Sequence, residues 1–408
     1  MGGGRKDKLV EVAVYYFPSW HVDPRNEAWH GHGWSEWELV KNAQPRFPGH
    51  QQPKVPAWGF FNEADPAWAE REVDLAADHG VTAFLYDWYW YNDGPFLWRQ
   101  LEEGFLRAKN RGRLKFGLMW ANHDWRDIFP ARPDGSRQRL LASGAVGRAA
   151  WEGLTDHVVQ RYFPEPNYLR IEGCPYFSIL QPEIFCSGLG GPAGARDALR
   201  SFREKVARAG FPGLHLSVMA QGLLAGLPTG MASRDEFIEC FGLASIAEYT
   251  WANCPGYPDL DANGFPAVSY PKVAAIGYAD WQTQRQRWPI DYYPNVPMGW
   301  DPSPRSAQSA QYENRGYPFC TIWKDNTPDA WRAALQRAKA FVQAGRDKHK
   351  MVTLNAWNEW TEGSYLLPDR AHGTAYLEAV RDVFGSESPG AGETPDPAAE
   401  ASGAGVWR

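Results

Sequence analysis

Residues 351–368, with the sequence MVTLNAWNEWTEGSYLLP, combine a strand signal with a dense cluster of polar and aromatic side chains. The first four residues are apolar or β-branched, which is typical of a strand buried in a sheet. Amides, indoles and carboxylates follow at once, at Asn355, Trp357, Asn358, Glu359, Trp360 and Glu362. Indoles stack on the C–H faces of sugar rings, amides bind hydroxyls, and paired carboxylates break or make glycosidic bonds. The stretch therefore predicts the floor of a sugar site, with Glu359 and Glu362 as the reacting groups.

The competing interpretation is a strand end whose two glutamates are solvated or paired with arginine. That is the default for an arbitrary Glu-x-x-Glu, because carboxylates are rarely buried. The flanking Trp357, Asn358 and Trp360 are not what a solvated loop end usually carries, and they favour the functional interpretation.

The composition is that of a chain with little net charge and many aromatic residues. Its 408 residues carry a formal charge of −6, and the length is ample for one large domain or two smaller ones. This charge gives no electrostatic basis for nucleic acid or an anionic membrane as a partner, and no run approaches the roughly 18 apolar residues of a membrane span. Many of the 21 Trp, 18 Tyr and 20 Phe stand near Asp, Asn, His or Gly, which favours a carbohydrate-binding surface beside ordinary core packing.

The cysteines and the first residues predict a reducing compartment. The number of cysteines is odd, at five, and there is no Cys-x-x-Cys, so that neither a disulfide framework nor a zinc ribbon is indicated. Residues 1–9 are glycine-rich and basic, with no apolar segment behind them that is long enough for a signal peptide. We therefore predict a cytoplasmic protein, although a secreted protein whose leader had been removed would look the same.

Apolar strands alternate with helical patterns along residues 10–385, which predicts one (β/α)8 TIM barrel with long loops after its strands. The predicted strands are 11–17, 81–86, 115–120, 175–180, 214–219, 243–247, 296–300 and 351–356. The predicted helices are 65–79, 95–111, 147–162, 195–209, 270–287, 328–344 and 374–384. Residues 1–9 and the Gly-, Pro- and Ser-rich residues 386–408 are predicted to be disordered.

Polar and aromatic side chains recur where these predicted strands end. They are Tyr15, Tyr16, Asp87, Trp88, Asn122, His123, Asp124, Gln181, Gln221, Glu248, Tyr249, Asp301, Asn358 and Glu359. In a (β/α)8 barrel the strand ends converge on one mouth, where the active site lies. A doubly wound open sheet also binds ligands at strand ends, but no Gly-x-Gly-x-x-Gly or phosphate-binding glycine loop follows a strand here. The barrel is therefore the favoured fold.

Three blocks of sequence carry a resemblance to a known family. The first comprises Tyr15-Tyr16-Phe17-Pro18, Gly33-Trp34-Ser35-Glu36-Trp37, Pro45 and Gly49-His50-Gln51-Gln52-Pro53. The others are Met119-Trp120-Ala121-Asn122 and Ala356-Trp357-Asn358-Glu359-Trp360-Thr361-Glu362-Gly363, with Pro368 after it. With these blocks the chain resembles the glycoside hydrolase family 99-like group (endo-α-mannosidase-like barrels), which includes WbsX-type glycosyltransferases of polysaccharide gene clusters. The blocks span nearly the whole predicted barrel, and the third is the most specific.

The resemblance implies a barrel that acts on glycosidic bonds with retention, and we predict neither a cofactor nor a metal ion. Glu359 would take the proton of the substrate 2-hydroxyl, which attacks C1 to form an epoxide-like intermediate. Glu362 would be the general acid for the leaving oxygen and then the base for water. Together with the strand-end pattern, the resemblance predicts a carbohydrate substrate in contact with Tyr15, Tyr16, Glu36, Trp37, Asp87, Trp88, Trp120, Asn122, His123, Asp124, Glu248, Tyr249, Trp357, Asn358 and Trp360.

The sequence departs from the family pattern at two positions. Leu367 stands where the family often has an acidic residue just before the proline, and His123 stands where WbsX-type members usually have Glu. Leu367 predicts the loss of a sugar contact, so that the mannose preference of the family is not assumed here. His123 predicts a different subgroup with altered substrate contacts.

A histidine-rich segment is a candidate metal site. His30-Gly31-His32, with His21 and His50 nearby, could bind zinc. No second cluster of fixed spacing accompanies it, which favours a loop at the rim of the pocket.

A glycosyltransferase and a non-catalytic carbohydrate-binding barrel are the alternatives to a hydrolase. Asp259-Leu260-Asp261 resembles the Asp-x-Asp that holds a metal–nucleotide in some glycosyltransferases. Its Pro- and Gly-rich surroundings favour a turn instead. The hydrolase is therefore the leading hypothesis.

Overall fold

The computed structural model describes residues 10–385, and in them eight parallel strands form a (β/α)8 barrel, as the sequence predicts. The strands are β1 (Glu11–Tyr16), β2 (Ala83–Tyr91), β3 (Lys115–Trp120), β4 (Cys174–Ile179), β5 (His215–Met219), β6 (Ser245–Ala247), β7 (Asp291–Tyr293 and Asn295–Pro297) and β8 (Met351–Asn355). Neighbours along this series pair in parallel, and β8 pairs in turn with β1. The predictions for residues 1–9 and 386–408 lie outside the described part of the chain.

The ring of strands closes through β7, which Pro294 divides into two segments. The first segment pairs with β6 and the second with β8. Pro294 has no N–H to donate, but its carbonyl accepts a hydrogen bond of 2.9 Å from the backbone N–H of Thr353. The prediction of a strand at 296–300 is therefore wrong by several residues. The prolines lie inside this strand, where they usually mark its end.

Helices surround the barrel and occupy several of its loops. The α-helices are α1 (Pro24–His30), α2 (Trp37–Asn42), α3 (Pro66–Asp78), α4 (Arg148–His157), α5 (Pro182–Gly188), α6 (Pro192–Arg208), α7 (Arg234–Phe241), α8 (Tyr257–Gly264), α9 (Tyr270–Arg287), α10 (Pro328–Ala344) and α11 (Ala375–Phe384). The predicted helices that correspond to α3, α4, α6, α9, α10 and α11 are confirmed, with ends that differ by a few residues. No helix in the described part of the chain is long and apolar enough to cross a membrane.

The prediction of a helix at 95–111 is wrong for its first residues. β2 runs on to Tyr91, and the chain turns back so that Gly94–Phe96 pairs antiparallel with it. The turn residues Asn92 and Asp93 and the following glycine form a hairpin signal that outweighs the helical spacing. Beyond it the chain forms a π-helical turn at Gln100–Gly104 and a 3₁₀ turn at Phe105–Arg107.

The prediction of a turn at Asp259-Leu260-Asp261 is also wrong, because these residues lie in α8. A proline in the first helical turn and an acidic residue beside it are favourable at a helix N-terminus. Asp261 accepts a hydrogen bond of 2.8 Å from the backbone N–H of Thr321, so that its carboxylate fastens a neighbouring loop.

A pair of buried carboxylates joins β1 to α3 behind the barrel wall. The hydroxyl of Tyr16 lies 3.1 Å from Glu63 and 2.9 Å from Glu72, and the indole of Trp357 donates to Glu72 at 3.1 Å. Both glutamates are buried. Burial, reinforced by the charge of Glu63, raises the pKa of Glu72 to about 8.

We expect this pKa to make the protein less stable as the pH rises. A carboxyl with a raised pKa keeps its proton in the folded state while the unfolded chain loses it, so that the free energy of unfolding falls between about pH 4.5 and pH 8. In Glu72→Gln the decrease in the free energy of unfolding with pH should be smaller by up to roughly 4 kcal/mol. The measurement is urea unfolding at a series of pH values from 5 to 9. Glu70→Gln, on the surface of the same helix, is the control and should follow wild type. Parallel curves for Glu72→Gln and wild type would contradict this prediction.

Candidate active site

The carboxyl ends of the strands surround a cavity of about 530 Å³, a size typical of small-ligand sites. Its wall combines aromatic rings with amide and charged groups. The lining residues are Phe17, Asp87, Tyr89, Met119, Ala121, His123, Asp124, Trp125, Arg126, Ile128, Phe129, Gln138, Leu180, Gln181, Gln221, Tyr249, Arg305, Tyr317, Glu359 and Glu362. Both glutamates of the quoted stretch thus face this cavity.

One guanidinium group organises the floor of the cavity. Arg305 donates from Nη1 to Oε1 of Glu362 at 2.6 Å, and from Nη2 to Oε1 of Glu359 at 2.9 Å. It also donates to Oε1 of Glu36, from Nε at 3.0 Å and from Nη2 at 2.8 Å. The hydroxyl of Tyr317 contacts Nη1 and donates to Oε1 of Glu362 at 2.8 Å. Three carboxylates therefore share one cation.

The backbone after β8 places the two glutamates close together. Glu362 lies three residues after Glu359, in a single 3₁₀ turn that ends at Gly363 with φ +64°. A Cβ at Gly363 would lie 2.7 Å from Cβ of Asp301, so that the close approach and the positive φ both require glycine. The backbone N–H of Asp301 donates to the carbonyl of Glu362 at 2.5 Å and fastens this turn to the loop after β7.

The carboxylate of Asp301 anchors that loop in turn. It accepts hydrogen bonds from His50 at 2.9 Å, from Gln52 at 2.7 Å and from the hydroxyl of Ser303 at 2.6 Å. Although burial acts in the opposite direction, the bond to His50 and its charge lower the pKa of Asp301 to about 2. The segment that carries Arg305 is therefore fixed from two sides.

Glu359 and Glu362 each use one oxygen to bind Arg305. Among the described residues, neither Oε2 has a hydrogen-bond partner. Burial raises the pKa of both carboxyl groups, while Arg305 lowers it in both cases. The pair can therefore hold a proton to a higher pH than a solvated glutamate does.

Asp87 and Tyr249 form a second polar pair on the cavity wall. The Tyr249 hydroxyl donates to Oδ2 of Asp87 at 2.8 Å. Burial raises the pKa of Asp87 well above its usual value, the bond from Tyr249 opposes this, and the charge of Glu362 adds to the rise. Successive side chains of a strand point to opposite faces, so that Asp87 and Tyr89 of β2 enter the cavity together.

His123 and Asp124, which follow β3, also line the cavity. Burial lowers the pKa of His123, which favours a neutral imidazole, and its Nδ1 lies 2.9 Å from the carbonyl of Asp124. The carboxylate of Asp124 is 3.0 Å from Nη2 of Arg126 and accepts from the backbone N–H of Gly144 at 3.1 Å. Asp124 therefore shapes the rim and neutralises Arg126.

Several aromatic residues predicted to contact sugar lie on the outer face of the barrel. Trp88 stacks towards His157 with ring centroids 6.5 Å apart, and the indole of Trp120 donates to the carbonyl of Trp90 at 3.1 Å. Tyr16 and Trp357 bind the buried Glu72, as described above. These side chains alternate with the cavity-facing ones, and a ligand in the cavity does not reach them.

Trp37 and Trp360 form part of the support beneath the site. The indole of Trp37 donates to the carbonyl of Phe61 at 2.8 Å. Trp360 is fully buried and stacks on Tyr365 with ring centroids 3.8 Å apart. Neither indole lines the cavity.

Tyr15 and Glu248 are both buried and do not line the cavity, and the side chain of Glu248 lies beside Asp280 of α9 and Tyr292. The Tyr15 hydroxyl donates to the carbonyl of Glu248 at 3.0 Å, and its ring lies 4.8 Å from that of Tyr249. The Tyr15 ring therefore supports that of Tyr249.

The two asparagines of the motifs bind backbone groups. Asn122 donates to the carbonyl of Gln181 at 2.9 Å and accepts from its N–H at 2.8 Å. Asn358 accepts from the backbone N–H of Phe17 at 2.8 Å. Both side chains fix loops at the mouth, while Gln181 and Phe17 face the cavity.

Sequence reasoning missed Arg305 and Tyr317, which hold the glutamates. Arg305 follows a Pro-x-Pro loop, and Tyr317 lies in a polar loop, so that no motif or periodicity distinguishes them from surface residues. Tyr89 had a usable signal, because it stands two residues after Asp87 and two positions along a strand share a face.

The histidines of the candidate metal segment lie apart from one another. His21 lies 2.9 Å from Glu63, His50 binds Asp301, His30 stacks on Trp34, and the exposed His32 lies 2.8 Å from Glu27. In the part of the chain that the structure describes, no group of three or more His, Cys, Asp or Glu side chains is arranged to hold a metal ion.

Comparison with known proteins identifies both sequence relatives and proteins of the same fold. The model of the family described as Glycosyltransferase WbsX matches residues 12–380. Two proteins called uncharacterized protein WxcX, from two strains of Xanthomonas campestris pv. campestris, are 29% identical over 381 residues, which is 91% of this chain and 49% of each relative. The chain thus spans about half the length of these curated relatives.

Two solved structures with a similar fold are described as a glycoside hydrolase-like protein and as a glycoside hydrolase family 99 enzyme. One is described as a glycoside hydrolase-like protein, with a TM-score of 0.57 and 14% identity over 93% of this chain and 95% of that chain. Another is the GH99 endo-alpha-mannosidase from Bacteroides thetaiotaomicron, with a TM-score of 0.50 and 13% identity over 92% of this chain and 97% of that chain. At such identities the likeness shows a shared barrel fold.

Proposed function

The chain belongs to the WbsX glycosyltransferase family, and we propose that it is a retaining glycoside hydrolase that cleaves a glycosidic bond in a poly- or oligosaccharide. One observation carries the proposal. Two nearly buried carboxylates, Glu359 and Glu362, lie side by side on a single guanidinium at the floor of a cavity at the carboxyl ends of the barrel strands. Most glycoside hydrolases break the glycosidic bond with two carboxyl groups that face one cavity.

Glu362 acts as the general acid in this proposal. Because burial raises its pKa, Glu362 holds a proton to a higher pH than a solvated glutamate does. Arg305 and Tyr317 both bind Oε1, so that the proton is carried on Oε2 and passed to the glycosidic oxygen as the C1–O bond breaks.

Glu359 acts as the base in the same step. It takes the proton of the 2-hydroxyl, O2 attacks C1, and a 1,2-anhydro sugar forms while the leaving group departs with the proton from Glu362. In the second step Glu362 takes a proton from water, the water oxygen bonds to C1 from the side of the original leaving group, the C1–O2 bond breaks, and Glu359 returns its proton to O2. Two inversions at C1 give net retention.

The remaining wall of the cavity suits a sugar ring. Tyr89, Trp125 and Phe129 offer aromatic faces, and Gln181 and Gln221 offer amide groups. Aromatic faces pack on C–H groups, and amides exchange hydrogen bonds with hydroxyls.

A glycosyltransferase is the second candidate, because the family carries that description. A transferase that uses a nucleotide sugar needs cationic groups for its phosphates. The two arginines among the cavity-lining residues described are already engaged, Arg305 with three carboxylates and Arg126 with Asp124. This pairing favours the hydrolase.

A screen of glycans tests the proposal directly. Wild-type protein and Glu362→Gln are incubated with plant, bacterial and fungal polysaccharides, and released sugars are measured by mass. We expect release by wild type and a loss of at least roughly 10²-fold in the variant. Binding of nucleotide sugars without any release would instead support the transferase, and glycan binding that both variants retain without release would support a non-catalytic barrel.

A further inference from the structure

Glu36 is a buried carboxylate that contacts the reacting centre without facing the cavity. It precedes α2, and its side chain is fully buried. Its Oε1 accepts two hydrogen bonds from Arg305 and one of 2.6 Å from the hydroxyl of Thr361. The other oxygen is buried, with no hydrogen-bond partner among the described residues. A ligand in the cavity therefore meets Arg305 but not Glu36.

The hydrogen bonds of Arg305 show what Glu36 does for that side chain. A guanidinium presents its N–H groups in a rigid plane, so that fixing one edge fixes the direction of the others. Nε and Nη2 bind Glu36, Nη2 also binds Glu359, and Nη1 binds Glu362. Glu36 therefore determines where the two donors for the reacting pair lie.

We propose that Glu36 is a positioning residue, which holds Arg305 from the buried side so that one guanidinium keeps Oε1 of both Glu359 and Glu362 in place. The inference rests on the proposed function of these two glutamates. It assigns Glu36 a role through Arg305, in place of the sugar contact that the sequence predicts.

Thr361 links Glu36 to the pair by a second route. Its hydroxyl lies 2.6 Å from Oε1 of Glu36 and 3.0 Å from Oε1 of Glu359. One hydroxyl has one proton, so that it donates to one of these oxygens at a time. Thr361 and Arg305 thus bind Glu36 and Glu359 as one unit.

Glu36 also contributes charge to the centre. The ionisable groups next to the reacting pair are Arg305, Glu36, Asp87 and Tyr317, and the side chains of Tyr89, His123 and Tyr249 also line the cavity. Arg305 lowers the pKa of Glu359 and of Glu362, whereas the negative charge of Glu36 raises both. Without that charge the pKa of Glu362 should fall, because Arg305 would then serve two carboxylates.

Glu36→Gln separates this role from a merely structural one. The glutamine oxygen can still accept from Arg305, while the charge is gone. We expect the midpoint of the Glu362 carboxyl titration to fall by about one pH unit. The titration is followed by ¹³C NMR on protein labelled at the glutamate side-chain carboxyl carbon. The Glu362 signal is assigned as the one that is missing from Glu362→Gln. Glu38→Gln, which changes an exposed side chain in the first turn of α2, is the matched control and should leave the titration unchanged, because Glu38 pairs with Lys41.

Two further variants keep the test decisive if Glu36→Gln folds poorly. Glu36→Asp keeps the charge but withdraws it from the guanidinium, so that kcat should fall without a shift of the alkaline limb of the pH–rate profile. Thr361→Val removes the shared hydroxyl and should lower kcat similarly. A Glu362 titration that is the same in wild type and Glu36→Gln overturns the contribution of the Glu36 charge, and full kcat in Glu36→Asp overturns the positioning role. The NMR titration needs no substrate, so its result stands even if the protein proves not to be a hydrolase.

Discussion

Glu362→Gln is expected to slow the hydrolysis of glycosides with poor leaving groups by more than roughly 10²-fold, and to affect aryl glycosides with good leaving groups far less. A glutamine cannot supply the proton that an alkoxide leaving group needs, whereas a nitrophenolate departs without one. The substitution preserves the shape of the side chain and its acceptor oxygen for Arg305 and Tyr317. The loss is therefore a loss of proton transfer rather than of structure.

The measurement is kcat/KM for a series of aryl glycosides of the sugar that the glycan screen identifies. In wild type the rate should depend weakly on the leaving-group pKa, and in Glu362→Gln it should depend on it steeply. Glu313→Gln, an exposed acid on the same loop as Tyr317, is the control and should behave as wild type. Equal losses across the series would refute the role of Glu362 as the acid.

The pH profile of wild type should reflect the same assignment. Glu362 must be protonated to act as an acid, so that kcat/KM falls as the pH rises through its raised pKa. Glu359 must be ionised to act as a base, so that kcat/KM also falls as the pH drops through its pKa, which burial raises as well. Because the two carboxyls interact, the two limbs report the pair and not either residue alone.

The fold was predictable where periodicity and local turn signals agree. β8 and α9 have unmistakable patterns, and both form as expected. The prolines of β7 led to wrong bounds for that strand. The hairpin at the end of β2 led to wrong bounds for the helix predicted after it. In both places tertiary pairing decides the local structure, and a linear pattern does not record it.

The site was predictable only in part, because its residues come from distant loops. Glu359 and Glu362 stand out in one short stretch, yet Arg305, which joins them, lies more than fifty positions away in a loop without a motif. Indoles near the glutamates suggested sugar stacking, but Trp357 points away from the cavity to Glu72. Strict alternation along strands would have assigned Trp88 to the outer face and Tyr89 to the cavity.

Glu359→Gln should slow turnover by more than roughly 10²-fold for every leaving group, good or poor. In the proposed mechanism O2 of the substrate is the nucleophile, and it attacks C1 only if Glu359 takes its proton. A better leaving group does not replace that base. Because Glu359 also binds Arg305 and Thr361 through Oε1, which glutamine can still offer as an acceptor, the variant should fold and retain its ligand. Ligand binding by calorimetry serves as the control for folding.

Substrates without the 2-hydroxyl distinguish this mechanism from a covalent glycosyl-enzyme. If O2 is the nucleophile, a 2-deoxy aryl glycoside is inert with wild type and with Glu359→Gln alike, since the substrate has no oxygen to attack C1. If Glu359 were itself the nucleophile, wild type would turn over the 2-deoxy substrate, and mass spectrometry would find a sugar bonded to Glu359. Arg305 binds Oε1 of Glu359, and Oε2 is unbound among the described residues. The position of Oε2 is therefore compatible both with a base and with a nucleophile. The two roles differ in the bond that forms at C1, and the 2-deoxy substrate tests that bond.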